Sequence, residues 1–417
     1  MENSNLVPPA AESFRGKKRF KSGGCQQHQP RVMIDALDFR QVREMRIAYV
    51  LTSLGVGGAE RQVLLLAERM RARGHAVALV VLQGRETRDV EEWPTALDTV
   101  RLGMRKQPVS LLAGVWSARG FLGSFQPDLI HSHTYPANMM ARLLRLLGSA
   151  PVLISTVHNV YEGPWTRMLA YRLTDPLSHR TTAVSQAAAE RFVRLRAVPA
   201  QKCSVLTNGI DTVEFAPDVE RRTGMRARMD VHEEFVWLAA GRIAPAKDYP
   251  NLLSAFARVR AAFPAARLWI AGEARGDYFI GLRDLTVQLG LKDSVQWLGL
   301  RRDLPALLDA ADGFVLASAW EGMPLAVGEA MAMEKPVVAT DVGGVRELLG
   351  ACGVLVPAKT PESLAQAMIA QMHSTPAARV ALGRAGRERI ANLFSIDAKA
   401  DAWEAFYQEV LEPGPSA

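Results

Sequence analysis

The sequence predicts an α/β protein of two doubly wound parallel domains facing a cleft. Three observations carry this. Short apolar, β-branched runs alternate with amphipathic stretches of helical length, the pattern of parallel sheets covered by helices. The runs fall into two series, joined near Asn208-Gly209-Ile210-Asp211 through Pro217. A chain of 417 residues, 48% hydrophobic, is long and apolar enough for two cores.

Taken in order, residues 1–44 mix Pro, Gly, Gln and charge without periodicity and read as a disordered basic extension. Met45-Arg46-Ile47-Ala48-Tyr49-Val50-Leu51 begins the first strand. Strand-like runs at 77–82, 128–131, 152–157, 180–184 and 204–206 complete a first domain over 45–213. Runs at 235–240, 267–271, 294–298, 313–317, 337–340 and 354–356 make a second over 214–393. Residues 394–411, with Trp403, Phe406 and Tyr407, form a terminal helix, and 412–417 a tail.

Cys25, Cys203 and Cys352 are odd in number and far apart, which argues against a disulfide framework or zinc site and fits a reducing cytosol. No apolar stretch approaches the roughly 18 residues of a membrane span, and the extension lacks the apolar core of a secretory signal. Charge is divided unevenly. Residues 45–211 carry 20 Lys/Arg against 12 Asp/Glu, whereas residues 214–417 carry 22 against 26. A basic first half can draw a peripheral enzyme to anionic lipid.

The most informative segment is Ser318-Ala319-Trp320-Glu321-Gly322-Met323-Pro324-Leu325-Ala326-Val327-Gly328-Glu329. It follows an apolar strand, and Pro324 suits the first turn of a helix. Glu321 then lies on the loop outside the strand's carboxyl end, where open parallel sheets bind ligands. Glu329 lies more than a turn into the helix and can face the same crevice. Two acceptor-only groups suit a ligand rich in hydroxyls, such as a sugar and a ribose.

Other motifs concern anions. Gly241-Arg242-Ile243-Ala244-Pro245-Ala246-Lys247 ends a strand and presents a forked guanidinium and an ammonium, which together can hold a diphosphate. Gly343-Gly344 opens a helix whose free N–H groups add an anion site. Leu54-Gly55-Val56-Gly57-Gly58-Ala59-Glu60 nearly matches a dinucleotide fingerprint, so an NAD(P)-linked oxidoreductase is one reading. Glu60 speaks against it, since its charge at the helix start repels a pyrophosphate. His131-Ser132-His133 is spaced for one side of a metal site, but no carboxylate or cysteine cluster joins it. His158, at another strand end, is a further candidate.

The run from Ser318 through Lys335-Pro336-Val337-Val338-Ala339-Thr340-Asp341-Val342-Gly343-Gly344-Val345-Arg346-Glu347 resembles glycosyltransferase family 4. That family's signature is a Glu, seven residues and a second Glu, then a strand and a Gly-Gly turn. The resemblance extends from about Met45 to the C-terminus. It implies the GT-B fold, two Rossmann-like domains with the terminal helix crossing back onto the first. It also implies retaining transfer from a UDP- or GDP-sugar, with no cofactor and no metal needed for the chemistry. Members commonly start at such a first strand, which makes Met45 a candidate initiator.

Residue by residue, the resemblance places Glu329 on the nucleotide ribose, Glu321 near the transferred sugar, and Arg242 and Lys247 on the donor diphosphate. Gly57 and Gly58 stand in a glycine-rich loop near the phosphates, and Gly343 and Gly344 beside the donor. Gly322 and Met323 offer backbone N–H groups to the sugar, Arg301 approaches the base, and His158 lies near the reacting sugar. Gly328 departs from the pattern, which has a large aliphatic residue there.

The partners implied are a nucleotide-sugar donor and a glycan or lipid-linked acceptor, with no nucleic acid. The place of work implied is the cytoplasm, at the inner face of the membrane. Two other readings stay open, a nucleotide-sugar 2-epimerase and a non-catalytic sugar-nucleotide-binding protein.

Overall fold

Runs too apolar to face water on either side pair in parallel, the central strands buried beneath helices on both faces. The computed structural model describes residues 43–55, 57–83, 97–105, 107–148, 152–274 and 276–412, all within the compact unit 44–417 save Arg43. The extension expected at 1–44 and the tail beyond 412 lie almost wholly outside the described residues. The first sheet holds β1 (Arg46–Leu51), β2 (Ala76–Val81), β3 (Asp98–Arg101), β4 (Leu129–His133), β5 (Val152–Val157), β6 (Arg180–Ala183) and β7 (Cys203–Val205). Its order is β3-β2-β1-β4-β5-β6-β7. The second holds β8 (Val236–Ala240), β9 (Arg267–Ala271), β10 (Val295–Gly299), β11 (Gly313–Leu316), β12 (Val337–Thr340) and β13 (Val354–Val356), in the order β10-β9-β8-β11-β12-β13. All pairs are parallel. Strand order reverses between β1 and β4 and between β8 and β11, the switch points where such sheets take ligands.

Around the first sheet lie α1 (Gly58–Ala72), α2 (Pro108–Phe125), α3 (Tyr135–Leu146), α4 (Trp165–Thr174) and α5 (Gln186–Arg194). Then follow α6 (Val219–Arg228), α7 (Tyr249–Ala262), α8 (Gly276–Gln288), α9 (Leu304–Ala310), α10 (Leu325–Ala332), α11 (Val345–Leu349), α12 (Pro361–His373), α13 (Pro376–Leu393) and α14 (Ile396–Leu411). Ser185, Asp218, Thr375 and Ser395 accept a backbone N–H at the starts of α5, α6, α13 and α14, which sets those boundaries. The terminal helix therefore starts at Ile396, and Phe394 closes the helix before it.

Alternation along β1 divides the first core. Ile47, Tyr49 and Leu51 pack with Val63, Leu64 and Met70 of α1 and with Trp403, Phe406 and Tyr407 of α14. Ala48 and Val50 face the other way, onto Val115 and Leu122 of α2 and Met140 and Leu144 of α3. In the second sheet Val236, Leu238 and Phe314 face α9 and α10, while Trp237, Leu268 and Val315 face α7 and α12.

Two local features were not anticipated. The edge strand β3 reads Asp98-Thr99-Val100-Arg101, half exposed and pairing only with β2, so no apolar run announces it. The anomalous Gly328 has a packing reason. A Cβ there would come within 2.7 Å of Ile210 Cδ1, so the missing side chain seats the buried Ile210 against α10. Gly328→Val is expected to cost about 1–3 kcal/mol by overpacking. In a thermal-unfolding double-mutant cycle, Ile210→Ala should recover part of that loss; simple additivity would reject the contact.

Candidate active site in the cleft

At the second switch point the chain leaves β11, turns through Ser318 to Pro324 and enters α10. Glu321 is buried in this turn at 8% exposure. Its Oε1 accepts a hydrogen bond from Ser318 Oγ at 2.7 Å and from Lys247 Nζ at 2.6 Å. Lys247 ends a short 3₁₀ turn after β8. A carboxylate this buried needs its cation close by. The structure thus joins two predicted residues directly. Arg242, in the same loop, is exposed and makes no side-chain hydrogen bond among the described residues.

Two glycines let backbones meet here. Gly322 bridges Asn159 from the first sheet's side, and a Cβ on it would lie 1.9 Å from His158 O. Gly343 has φ +54°, and its Cβ would fall 2.1 Å from Glu321 O. The Gly344 N–H, expected to be free for an anion, donates to Gly322 O at 2.7 Å. The difference has a simple cause. The Gly-Gly turn packs on the Glu321 loop before α11 begins, and its amide fixes that loop.

Across from Glu321, His158 directly follows β5. Its Nε2 lies 3.0 Å from His133 Nδ1, and its backbone N–H donates to Glu162 Oε1 at 3.0 Å. His131 has both ring nitrogens engaged, with Tyr407 OH and Thr156 Oγ1, each at 2.6 Å. Burial holds His131 and His133 well below the usual imidazole range, with neighbouring histidines adding to it, and lowers His158 to about 4. All three are neutral at pH 7. Among the described residues no group of three or more His, Cys, Asp or Glu is placed to hold a metal.

Glu329, buried in α10, looks across to α1, where Arg61 Nη1 lies 3.6 Å from its Oε1. Arg61 also binds Glu214 at 2.6 Å. Burial pushes the Glu329 carboxyl up to about 7, with Arg61 pulling the other way. Gly57 N-caps α1 and Gly58 opens it, close enough that a Cβ at Gly58 would touch Leu325 at 3.5 Å. Met323 O accepts from Asn208 Nδ2 at 3.2 Å while its side chain enters the core. Arg301 is not drawn into this group, because Asp303 takes both arms of its guanidinium, at 2.7 and 2.5 Å.

Sequence reasoning gave no role to Arg61, Glu162 or Glu347. Glu162 accepts from Tyr171 OH at 2.7 Å as well as from His158, and burial still pushes it up to about 7. Its only signal was lying four residues beyond His158. Glu347 accepts the N–H groups of Gln186 and Ala187 at 2.9 and 3.2 Å and so closes the start of α5 from the far sheet. The cleft therefore offers a buried carboxylate–ammonium pair, a neutral imidazole and a second buried carboxyl, suited to a ligand rich in hydroxyls and phosphate oxygens.

Comparison with known proteins agrees. Residues 56–214 match the family described as Glycosyltransferase Family 4, and residues 234–374 that described as Glycosyl transferases group 1. A D-inositol 3-phosphate glycosyltransferase of Segniliparus rotundus is 30% identical over 312 residues, covering 70% of this chain and 69% of that one. The Escherichia coli UDP-Gal:alpha-D-GlcNAc-diphosphoundecaprenol alpha-1,3-galactosyltransferase is 27% identical over 239 residues, 52% of this chain and 58% of its own. Among solved structures, Anabaena HepE in complex with UDP and glucose superposes with a TM-score of 0.77 at 22% identity, over 88% of this chain and 100% of that one. The sequence match, the two parallel sheets and the loops gathered at their switch points lead to one conclusion: the chain belongs to glycosyltransferase family 4 and is a glycosyltransferase of the GT-B fold.

Proposed function

We propose that the enzyme moves a hexose-type sugar from a UDP- or GDP-sugar to a glycan or lipid-linked acceptor, retaining anomeric configuration, in cell-surface polysaccharide or glycolipid synthesis. The observation that carries this reading is the Lys247–Glu321–Ser318 cluster set against His158. Support for the donor comes from the HepE complex with UDP and glucose, and for the acceptor from the E. coli relative named for a diphosphoundecaprenol substrate. The acceptor hydroxyl attacks the anomeric carbon on the face the diphosphate leaves, and the departing phosphate oxygen takes its proton. Arg242 and Lys247 stabilise the charge gathering on the diphosphate, and no metal takes part. Glu329 holds the ribose, Gly322 and Met323 the sugar, and Gly57, Gly58, Gly343 and Gly344 line the donor loops. The work is done at the inner face of the membrane, with no membrane-spanning helix among the described residues.

His158 acts as a hydrogen-bond donor to a sugar oxygen. His133 Nε2 is buried without a partner among the described residues. A buried N–H without an acceptor is rarer than a lone pair without a donor. His133 therefore carries its proton on Nδ1 and donates to His158 Nε2, which leaves the His158 proton on Nδ1. Nitrogen-15 spectra of histidine-labelled protein are expected to show that tautomer, and an Nε2-protonated His158 would make it an acceptor instead.

The function is tested by incubating the protein with UDP- and GDP-sugars and candidate acceptors, following nucleoside diphosphate release and the anomeric signal of the product. Release coupled to an axial-to-axial product supports the reading. Epimerised donor without transfer would replace it with the 2-epimerase.

A further inference from the structure

Nine of the seventeen large apolar side chains exposed among the described residues stand on the three consecutive helices α2, α3 and α4. They are not scattered. On α2, Val109, Leu112 and Trp116 follow i, i+3, i+7 spacing at 80%, 62% and 59% exposure, while Val115, Ala118 and Leu122 are buried against the sheet. On α4, Trp165 and Leu173 are 73% and 70% exposed and two turns apart. Helix α3 packs against both and adds Leu146 at 64%. Helices with one apolar face on the core and a second facing water have somewhere else to bury the second.

The charge on these helices is one-sided. The 18, 12 and 10 residues of α2, α3 and α4 contain no Asp or Glu, and they carry Arg119, Arg142, Arg145, Arg167 and Arg172. Arg142 is buried and structural, with its Nη1 on Tyr171 O. Arg119 and Arg172 are exposed beside the apolar stripes, and Arg105 is exposed just before α2. Arg119 also lies over the Trp116 ring at 5.5 Å.

We infer that the outer faces of α2, α3 and α4 form a docking surface for an anionic lipid bilayer. Tryptophan and leucine enter the boundary between headgroups and acyl chains, and arginines meet the phosphates around them. A protein partner matched to this rim would also have to be acidic, but two exposed tryptophans among bare leucines fit the amphipathic boundary of a membrane better. The inference deepens the inner-face reading above and rests on it for the acceptor. Trp165 follows His158 by seven residues, a stretch of chain that spans at most about 25 Å. A lipid-linked acceptor anchored under α4 would therefore have its headgroup within reach of the cleft.

The test uses the full chain and vesicles of phosphatidylcholine with or without phosphatidylglycerol, read by co-sedimentation. The wild-type protein is expected to bind the anionic vesicles at least about tenfold more tightly than the neutral ones, and to lose that preference as salt rises. The pair Leu112→Asp with Trp116→Asp, and separately Trp165→Asp with Leu173→Asp, should each weaken binding by about tenfold or more with unchanged melting temperature. Arg119→Glu with Arg172→Glu should remove the anionic preference while melting stays the same. Equal binding to both vesicles at low salt, or aspartate variants that bind like wild type, would overturn the assignment. So would aspartate variants that lose self-association in sedimentation velocity with vesicle binding unchanged. Because binding is read without any sugar transfer, failure here leaves donor turnover to judge the proposed reaction on its own.

Discussion

Lys247→Ala is expected to lower the rate of sugar transfer by roughly 10–10³-fold while the protein stays folded. Lys247 is the cation bound to Glu321, and in the proposed reaction its ammonium stabilises the charge on the departing diphosphate. Its loss removes that cation and leaves a nearly buried carboxylate with the Ser318 hydroxyl alone, so two parts of the site fail together. Arg242→Ala is expected to cost about tenfold, because the exposed guanidinium supports no other residue among those described. Lys247→Arg keeps the charge and loses the compact fit, so its rate should fall between. Glu321→Gln should act on turnover more than on donor affinity. Steady-state nucleoside diphosphate release, set beside calorimetric donor titration, separates these effects. Wild-type kinetics in both alanine variants would remove the diphosphate assignment.

Glu329→Gln is expected to act in opposite directions on stability and on binding. The unfolded chain gives up this proton near the usual 4.5, and the folded chain only at about 7. Folding therefore takes up a proton between those values, and stability falls as pH rises through that window. A neutral glutamine escapes the penalty, so the variant should gain on the order of 1–3 kcal/mol at pH 8 and little at pH 4. Arg61 is not stranded, since Glu214 still holds it. Glu162 lies in the same range, so the pH slope should shrink rather than vanish. Donor binding should weaken by about 1–3 kcal/mol, as a charge-assisted bond to a ribose hydroxyl becomes neutral. Denaturant titrations at pH 4 and pH 8 measure the first effect and calorimetry the second. A variant less stable at pH 8 would mean that the Arg61 pair outweighs burial.

The central strands of both sheets were legible because each is an apolar run bounded by turn residues, and burial on both faces leaves little freedom for anything else. The loop after β11 was legible for a different reason, since Glu321, Pro324 and Glu329 are fixed by one local turn. Pairings across the chain were not. Nothing in the spacing joins Arg61 to Glu329 or Glu347 to α5, because these contacts exist only once the two sheets meet, or His133 to His158, which come together only when β4 pairs with β5. Lys247 shows the limit well. Its loop and charge pointed to an anion, and the anion it meets within the protein is Glu321. Gly328 looked like a flaw in its helix until Ile210 was seen filling the space.

The last helix sets the order in which this protein can be completed. Tyr407 OH reaches Tyr49 OH at 3.2 Å across 358 residues of sequence, and Trp403 and Phe406 cover the same face of the first sheet. On the ribosome, β1 and α1 emerge long before α14, so the part of the first sheet's face that α14 covers must remain open until residues 396–411 are made. Closing so long a loop is slow, and an uncovered apolar sheet face invites aggregation meanwhile. A nascent chain stalled before Ser395 should therefore engage chaperones, while the same chain released after α14 should not. For this enzyme the emergence of α14 is the step that seals its first core.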